Sequence, residues 1–97
     1  FDVLTGGSGD DLLSGDGGSD TFIFADGDGN DTVTDFDALD DDEKIDLSAV
    51  SEITDFTDLV NNHLSSSGGD AIITYGANTI TLTGVDTADL TTDDFVF

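Results

Sequence analysis

The chain has 97 residues, of which 23 are Asp or Glu and only one is Lys or Arg, so its formal net charge is -22 while 36% of its residues are hydrophobic. That is one small domain with a modest core, and its balance of charge and hydropathy is that of a chain disordered in plain water, so a cationic partner is required for compaction. Lys44 as the lone cation excludes nucleic acid and anionic membrane surfaces as partners, the absence of Cys excludes disulfides and thiolate metal sites, and no apolar run approaches a membrane span.

The first element is a repeat. Gly6-Gly7-Ser8-Gly9-Asp10-Asp11-Leu12-Leu13-Ser14 fits the nine-residue pattern G-G-x-G-x-D-x-U-x at every specified position. Nine residues on, Gly15-Asp16-Gly17-Gly18-Ser19-Asp20-Thr21-Phe22-Ile23 repeats it with Asp16 at the second position, and nine residues back Asp2 and Leu4 are the tail of another copy. After two inserted residues, Phe24 and Ala25, a fourth copy runs from Asp26-Gly27-Asp28-Gly29-Asn30-Asp31 into Thr32-Val33-Thr34. The residue types follow from the chemistry. Glycines permit turns that crowd carbonyl oxygens round an ion, the aspartate adds a charged oxygen, and x-U-x is a short strand. Hard, oxygen-ligated ions suit such turns, which points to calcium rather than zinc. A glycine-rich acidic linker keeps no such register in both its aspartates and its apolar positions. An EF-hand loop begun at Asp26 fails because its sixth position is Asp31 rather than Gly and its twelfth is Asp37 rather than Glu.

Beyond the repeats, Thr32 to Phe36 alternates as a strand, an anionic loop follows, and a second strand is expected around Lys44 to Leu47. Thr54 to Leu64 places Phe56, Leu59, Val60, His63 and Leu64 at helical spacing, with Thr54 or Asp55 as the cap. The run "SSSGGD" is expected to end that helix, and "AIITYGANTITLTGV" predicts a hairpin about Gly76-Ala77-Asn78. "DTADLTTDDFVF" predicts a helical turn and a final strand. The fold class is therefore mostly β: a short parallel β-roll over residues 1–36, then a β-rich cap with one or two short helices over residues 37–97, the two forming one compact unit. The cap elements are not expected to continue the roll but to fold over its end, shielding strand edges as terminal repeat units must.

The repeats resemble those of the RTX (repeats-in-toxin) calcium-binding proteins that Gram-negative bacteria export by type I secretion. The later pattern "N-H-L…G-G-D-A-I-I-T…N-T-I-T-L-T-G-V…A-D-L-T…D-D-F-V-F" is similar to the carboxyl-terminal segment of large RTX proteins, adhesins most of all. The resemblance implies a roll whose successive turns alternate sides, with Leu4, Leu13, Phe22 and Val33 pointing inward. It implies that Gly7, Gly9 and Asp11 face Asp26, Asp28 and Asp31 across one calcium ion, and that Asp2 shares another with Gly15, Gly17 and Asp20. Asp35-Phe36 and Glu43-Lys44-Ile45-Asp46-Leu47 match the family's "D-F…D-K-I-D-L" element, which makes Glu43 a further ligand and two or three ions the expected number. Asp93, Asp94, Phe95, Val96 and Phe97 match the family's terminal secretion signal, read by the type I transporter. The bland reading of Phe95 and Phe97 is as core residues of a last strand.

No nucleophile stands with a base in this sequence, so no catalysis is expected of it. His63 is expected to be packed or hydrogen-bonded, and Tyr75 to make a cross-strand contact. Beginning at Phe1 without a charged-then-apolar leader, the chain is expected to be an excised piece, a monomer, secreted or on the outer cell surface. Its expected role is to fold on extracellular calcium, cap the roll and support export of a large protein upstream, an adhesin by the likeness of its tail. The alternatives are a surface- or glycan-attachment module, or the RTX tail of a secreted protease, lipase or epimerase.

Overall fold

The computed structural model describes residues 2–5, 7–14, 20–25, 27, 29–36 and 43–97. Strands β1 (Asp2–Thr5), β2 (Leu12–Leu13), β3 (Asp20–Ala25) and β4 (Asn30–Val33) alternate between two sheets. β1 pairs in parallel with β3, Leu4 opposite Phe22, and β2 pairs in parallel with β4, Leu13 opposite Val33. Each strand thus lies beside the strand two repeats away, the handing-over from side to side that a roll requires. Phe22 and Val33 are fully buried, and Leu4 and Leu13 pack against the same core.

The period of two explains β3. In Asp20-Thr21-Phe22-Ile23-Phe24-Ala25 the even positions are buried and the odd ones half-exposed, so Phe22 and Phe24 fill the space between the sheets. Phe36 meets the Phe22 ring edge-on at 6.3 Å between centroids, a favoured aromatic geometry.

After β4 come β5 (Lys44–Ala49), then α1 (Phe56–Asp58) running into a π-helical turn (Leu59–His63). β6 (Leu64–Ser67), β7 (Asp70–Tyr75), β8 (Asn78–Leu82), two 3₁₀ turns (Thr87–Asp89 and Thr92–Asp94) and β9 (Phe95–Val96) complete the chain. The sheets have the orders β1-β3-β5-β9 and β2-β4-β8-β7-β6.

That order corrects one expectation. β5, β8 and β9 do continue the roll's sheets by parallel pairing, Phe22 to Ile45, Val33 to Leu82 and Ile45 to Phe95. Joining a sheet needs only extended backbone with an apolar residue at alternate positions, which Ile45/Leu47 and Ile80/Leu82 supply without the glycine-aspartate turn. β6 and β7 fold over antiparallel as expected of a cap.

β6 was not expected either, since "SSSGGD" reads as a loop. Gly68 and Gly69 take φ of +59° and +87° between the paired residues Ser67 and Asp70, the two left-handed positions that a tight hairpin needs. The expected helix from Thr54 to Leu64 is shorter, Phe56 to His63, and the chain is already extended at Leu64. The hairpin at Gly76-Ala77-Asn78 is found, Tyr75 opposite Asn78. Tyr75 is fully buried, and its hydroxyl donates to Ala25 O at 3.3 Å, tying β7 to β3 in the opposite sheet.

Candidate metal centre

Two glycine turns stack at one edge of the roll. Gly7 and Gly9 have φ of +73° and +97°, and Gly27 and Gly29, their counterparts 20 positions on, have +82° and +86°. The strands leaving these turns keep the same offset, Leu12 opposite Thr32. Asp11 N–H donates to Asp31 Oδ1 at 2.9 Å, Asn30 N–H to Asp10 Oδ1 at 2.9 Å, and Thr32 N–H to Asp11 O at 2.9 Å. The turns touch so closely that a Cβ on Gly29 would fall 2.6 Å from Gly9 O.

The electrostatics call for a cation. Asp31 is 1% exposed, and Asp11 Oδ2 is buried without a hydrogen bond to it. A carboxylate oxygen in that state carries its full desolvation cost unless a cation meets it. Asp20, Asp31, Glu43 and Asp94 are all buried, the whole chain has one lysine, and Lys44 Nζ donates to Asp93 O. The oxygen-only donor set of aspartate and glycine turns fits a hard divalent ion of high coordination number, calcium above others. Among the described residues no three His, Asp or Glu side chains gather at one point. The expected ligands Asp26 and Asp28 lie outside the described residues.

At the opposite edge, Asp2 pairs with Asp20, and Thr21 pairs with Lys44, which brings Glu43 level with Asp20. Asp20 and Glu43 are 0% and 4% exposed, so Glu43 occupies in its rung the place aspartate holds in the repeats. The expected ligands Gly15 and Gly17 lie outside the described residues. Of the terminal residues, Asp93 and Asp94 lie in the second 3₁₀ turn and Phe95 and Val96 form β9, the last strand of that sheet. Asp94 is buried and accepts Thr91 N–H at 2.8 Å, and the Phe95 ring lies 5.9 Å from both Phe56 and Phe97, with Val96 and Phe97 partly exposed.

Sequence reading missed Asn78 and Thr79, which bind the Gly29 turn from the far side. Asn78 Oδ1 accepts Gly29 N–H at 2.8 Å, and Thr79 Oγ1 donates to Asn30 Oδ1 at 3.1 Å. No nine-residue step from the repeats reaches them, so their place was visible only as a hairpin.

His63 is hydrogen-bonded, as expected. Its Nδ1 is 2.7 Å from Thr74 O and therefore carries the hydrogen, while Nε2 is 3.5 Å from Asp58 Oδ2. Asn62 Nδ2 and then Thr54 N–H hold the Asp58 carboxyl below its ordinary value of 3.8 against an opposing desolvation, with a lesser contribution from the His63 ring. A lowered carboxyl stabilises the fold above its ordinary value and loses that contribution as pH falls through the lowered one. The difference in stability between the parent chain and Asp58→Ala is therefore expected to be full above about pH 3.8 and to shrink progressively as pH falls below it, measured by denaturant unfolding across pH.

A family model described as "Peptidase M10 serralysin C terminal" matches residues 2–97. Among solved structures, the chain is similar to the extracellular lipase LipA from Serratia marcescens, with TM-score 0.79 and 29% identity over 97% of this chain and 15% of that one. It is also similar to the AlgE6R2 subunit of the Azotobacter vinelandii mannuronan C5-epimerase, with TM-score 0.66 and 28% identity over 98% of this chain and 70% of that one. No curated protein matches. The chain thus spans a small part of the lipase's length.

Proposed function

This chain belongs to the peptidase M10 serralysin C-terminal family, an RTX-type domain, and we propose that it works as the calcium-folded export tail of a larger secreted protein of a Gram-negative bacterium. In the cytosol, where calcium is scarce, repulsion among 23 carboxylates keeps the chain open and able to thread through a type I transporter that reads residues 93–97. Outside the cell, two or three calcium ions bind between the turns and the domain folds as a monomer, closing the roll of residues 1–36 with the cap of 37–97. One ion is held by Gly7, Gly9 and Asp11 with Asp26, Asp28 and Asp31. Another is held by Asp2, Gly15, Gly17 and Asp20, with Glu43 beside it.

The observation that carries this reading is the contact of the two glycine turns, with Asp31 buried and Asp11 Oδ2 unmet. Equilibrium dialysis at millimolar calcium is expected to retain two or three ions per chain, and Asp31→Asn to retain one fewer. Retention of none overturns the reading.

The chemistry of the parent lies elsewhere in that protein. An adhesin is favoured by the likeness of the tail, and a lipase or epimerase equally by the solved structures it resembles. Attachment to a polysaccharide is a second reading, favoured by the likeness to the epimerase subunit. Binding to a glycan array in calcium supports it, and no binding leaves the module as a passive tail.

A further inference from the structure

We propose that the open edge of β6 is a docking groove for an extended peptide with apolar side chains at alternate positions and a basic end, taken up as a further strand of the five-stranded sheet.

β6 ends the order β2-β4-β8-β7-β6, and no described strand pairs with its outer side. In an antiparallel ladder the residues alternate, one exchanging its N–H and C=O with the partner strand and the next turning both away. Leu64 fixes which is which. It stands opposite Ile73, yet its N–H goes to Leu59 O in the π-helical turn. Ser66, two residues on, therefore turns its N–H and C=O to the open side, while Ser65 and Ser67 bond to β7. Ser66 is exposed. The strand carries no charge, no proline and no bulge, since its register with β7 is unbroken from Leu64 to Ser67. Those are devices that blunt an edge against pairing.

The space beside that edge is hollow. A cavity of about 480 Å³ lies between Ser66 and the 3₁₀ turn at Thr87, with Phe56, Val60, Leu64 and Leu90 as its apolar lining. A second, of about 280 Å³, shares Ser66 and Thr87 and runs on to Gly69 and Asp86. An added strand lies about 4.8 Å from its neighbour, which places its main chain on Ser66. Its alternate side chains then turn inward as Leu64 does, toward Val60, which is 43% exposed. Main-chain bonds give such a complex its affinity and the alternate side chains its selectivity. The walls are already set: His63 Nδ1 is 2.7 Å from Thr74 O, Asp86 Oδ1 accepts Ala88 N–H at 2.9 Å, and the Phe56 ring packs on Phe95. A groove fixed beforehand loses little entropy on binding.

Charge selects the occupant. No acidic residue occurs between Asp58 and Asp70, so the β6 side is neutral, while Asp86 and Asp89 stand exposed on the facing wall. A basic end beside those two carboxylates is attracted. A second copy of the chain brings the same net charge of -22 and is repelled.

The test is titration of the calcium-saturated chain with a fluorescein-labelled peptide of alternating valine and threonine that ends in lysines, followed by anisotropy and by hydrogen exchange of the serine amides. Saturable binding is expected, with exchange at Ser66 slowed while Ser65 and Ser67, already bonded to β7, change little. Val60→Ala is expected to weaken binding about tenfold, the worth of two buried methyl groups. Ser66→Pro, which removes the donor on the open side, is expected to lose at least as much, and Val60→Ala at its exposed position carries the test should the proline variant not fold. Glutamates in place of the peptide's lysines are expected to abolish binding. Binding that leaves Ser66 exchange unchanged, or that is parent-like in Val60→Ala, overturns the proposal, as does no binding at about 1 mM peptide. Slowed exchange at Ser66 that grows with protein concentration in the absence of peptide gives the edge to a second copy and overturns it too.

Discussion

Chelating the calcium is expected to unfold the domain, replacing its β-sheet circular dichroism by that of a disordered chain, reversibly on adding the ion back. At a hundredfold excess over its dissociation constant each ion adds about 2.7 kcal/mol. Two or three therefore supply roughly 5–8 kcal/mol, which is the whole stability of an ordinary small domain. The opposing term is large, with a net charge of -22 and Asp20, Asp31 and Glu43 all buried. Two controls separate site binding from general screening. Sodium chloride at a few tenths molar shortens the screening length to well below about 8 Å and weakens repulsion between exposed carboxylates, but it does little for buried ones. Magnesium demands a smaller octahedral shell and gives up its water reluctantly. Neither is expected to restore the sheet spectrum, and full restoration by either, or an ordered spectrum in chelator, is the result that refutes a calcium-dependent fold.

The roll was legible because its repeat writes strand, turn and ligand into the same nine positions. The two-repeat offset predicted from Asp11 and Asp31 is the offset at which β2 meets β4, and the inward residues Leu4, Leu13, Phe22 and Val33 all lie in or against the core. Glu43 was singled out by the resemblance of Glu43-Lys44-Ile45-Asp46-Leu47 to the family's "D-F…D-K-I-D-L" element, and it lies buried, level with Asp20. What stayed hidden depends on distant partners. β6 has one apolar residue, Leu64, and forms because the Gly68–Gly69 turn lays it against β7. The continuation of the roll by β5, β8 and β9 is set by pairing across long stretches of chain, for which the local pattern carries no address. Asn78 reads locally as a turn residue, and its bond to Gly29 spans 49 positions. The helix ended early for a similar reason: Leu64 had the right spacing for it, but pairing with Ile73 holds Leu64 extended.

Gly29→Ala is expected to be the most damaging alanine substitution among the described glycines, because two separate costs meet there. The backbone is left-handed at φ +86°, which costs an L-residue about 1–2 kcal/mol. The added Cβ would also lie 2.6 Å from Gly9 O and 2.9 Å from Gly9 C. Those are backbone atoms of the neighbouring turn, so relief requires the two turns to part, at about 1–3 kcal/mol for an overpacked contact. The sum is about 2–5 kcal/mol in denaturant unfolding at saturating calcium. Gly27→Ala and Gly9→Ala separate the two costs, since φ is +82° and +97° but nothing lies within 4 Å of either Cβ. They are expected to lose only the backbone share, about 1–2 kcal/mol. The extra loss at Gly29 measures turn-on-turn contact directly, and because the ion is held between those same turns it should reappear as weaker calcium binding, about tenfold for each 1.4 kcal/mol. Equal losses at all three glycines would mean that the turns do not touch in solution, and a site shared between them could not then be as compact as the structure makes it.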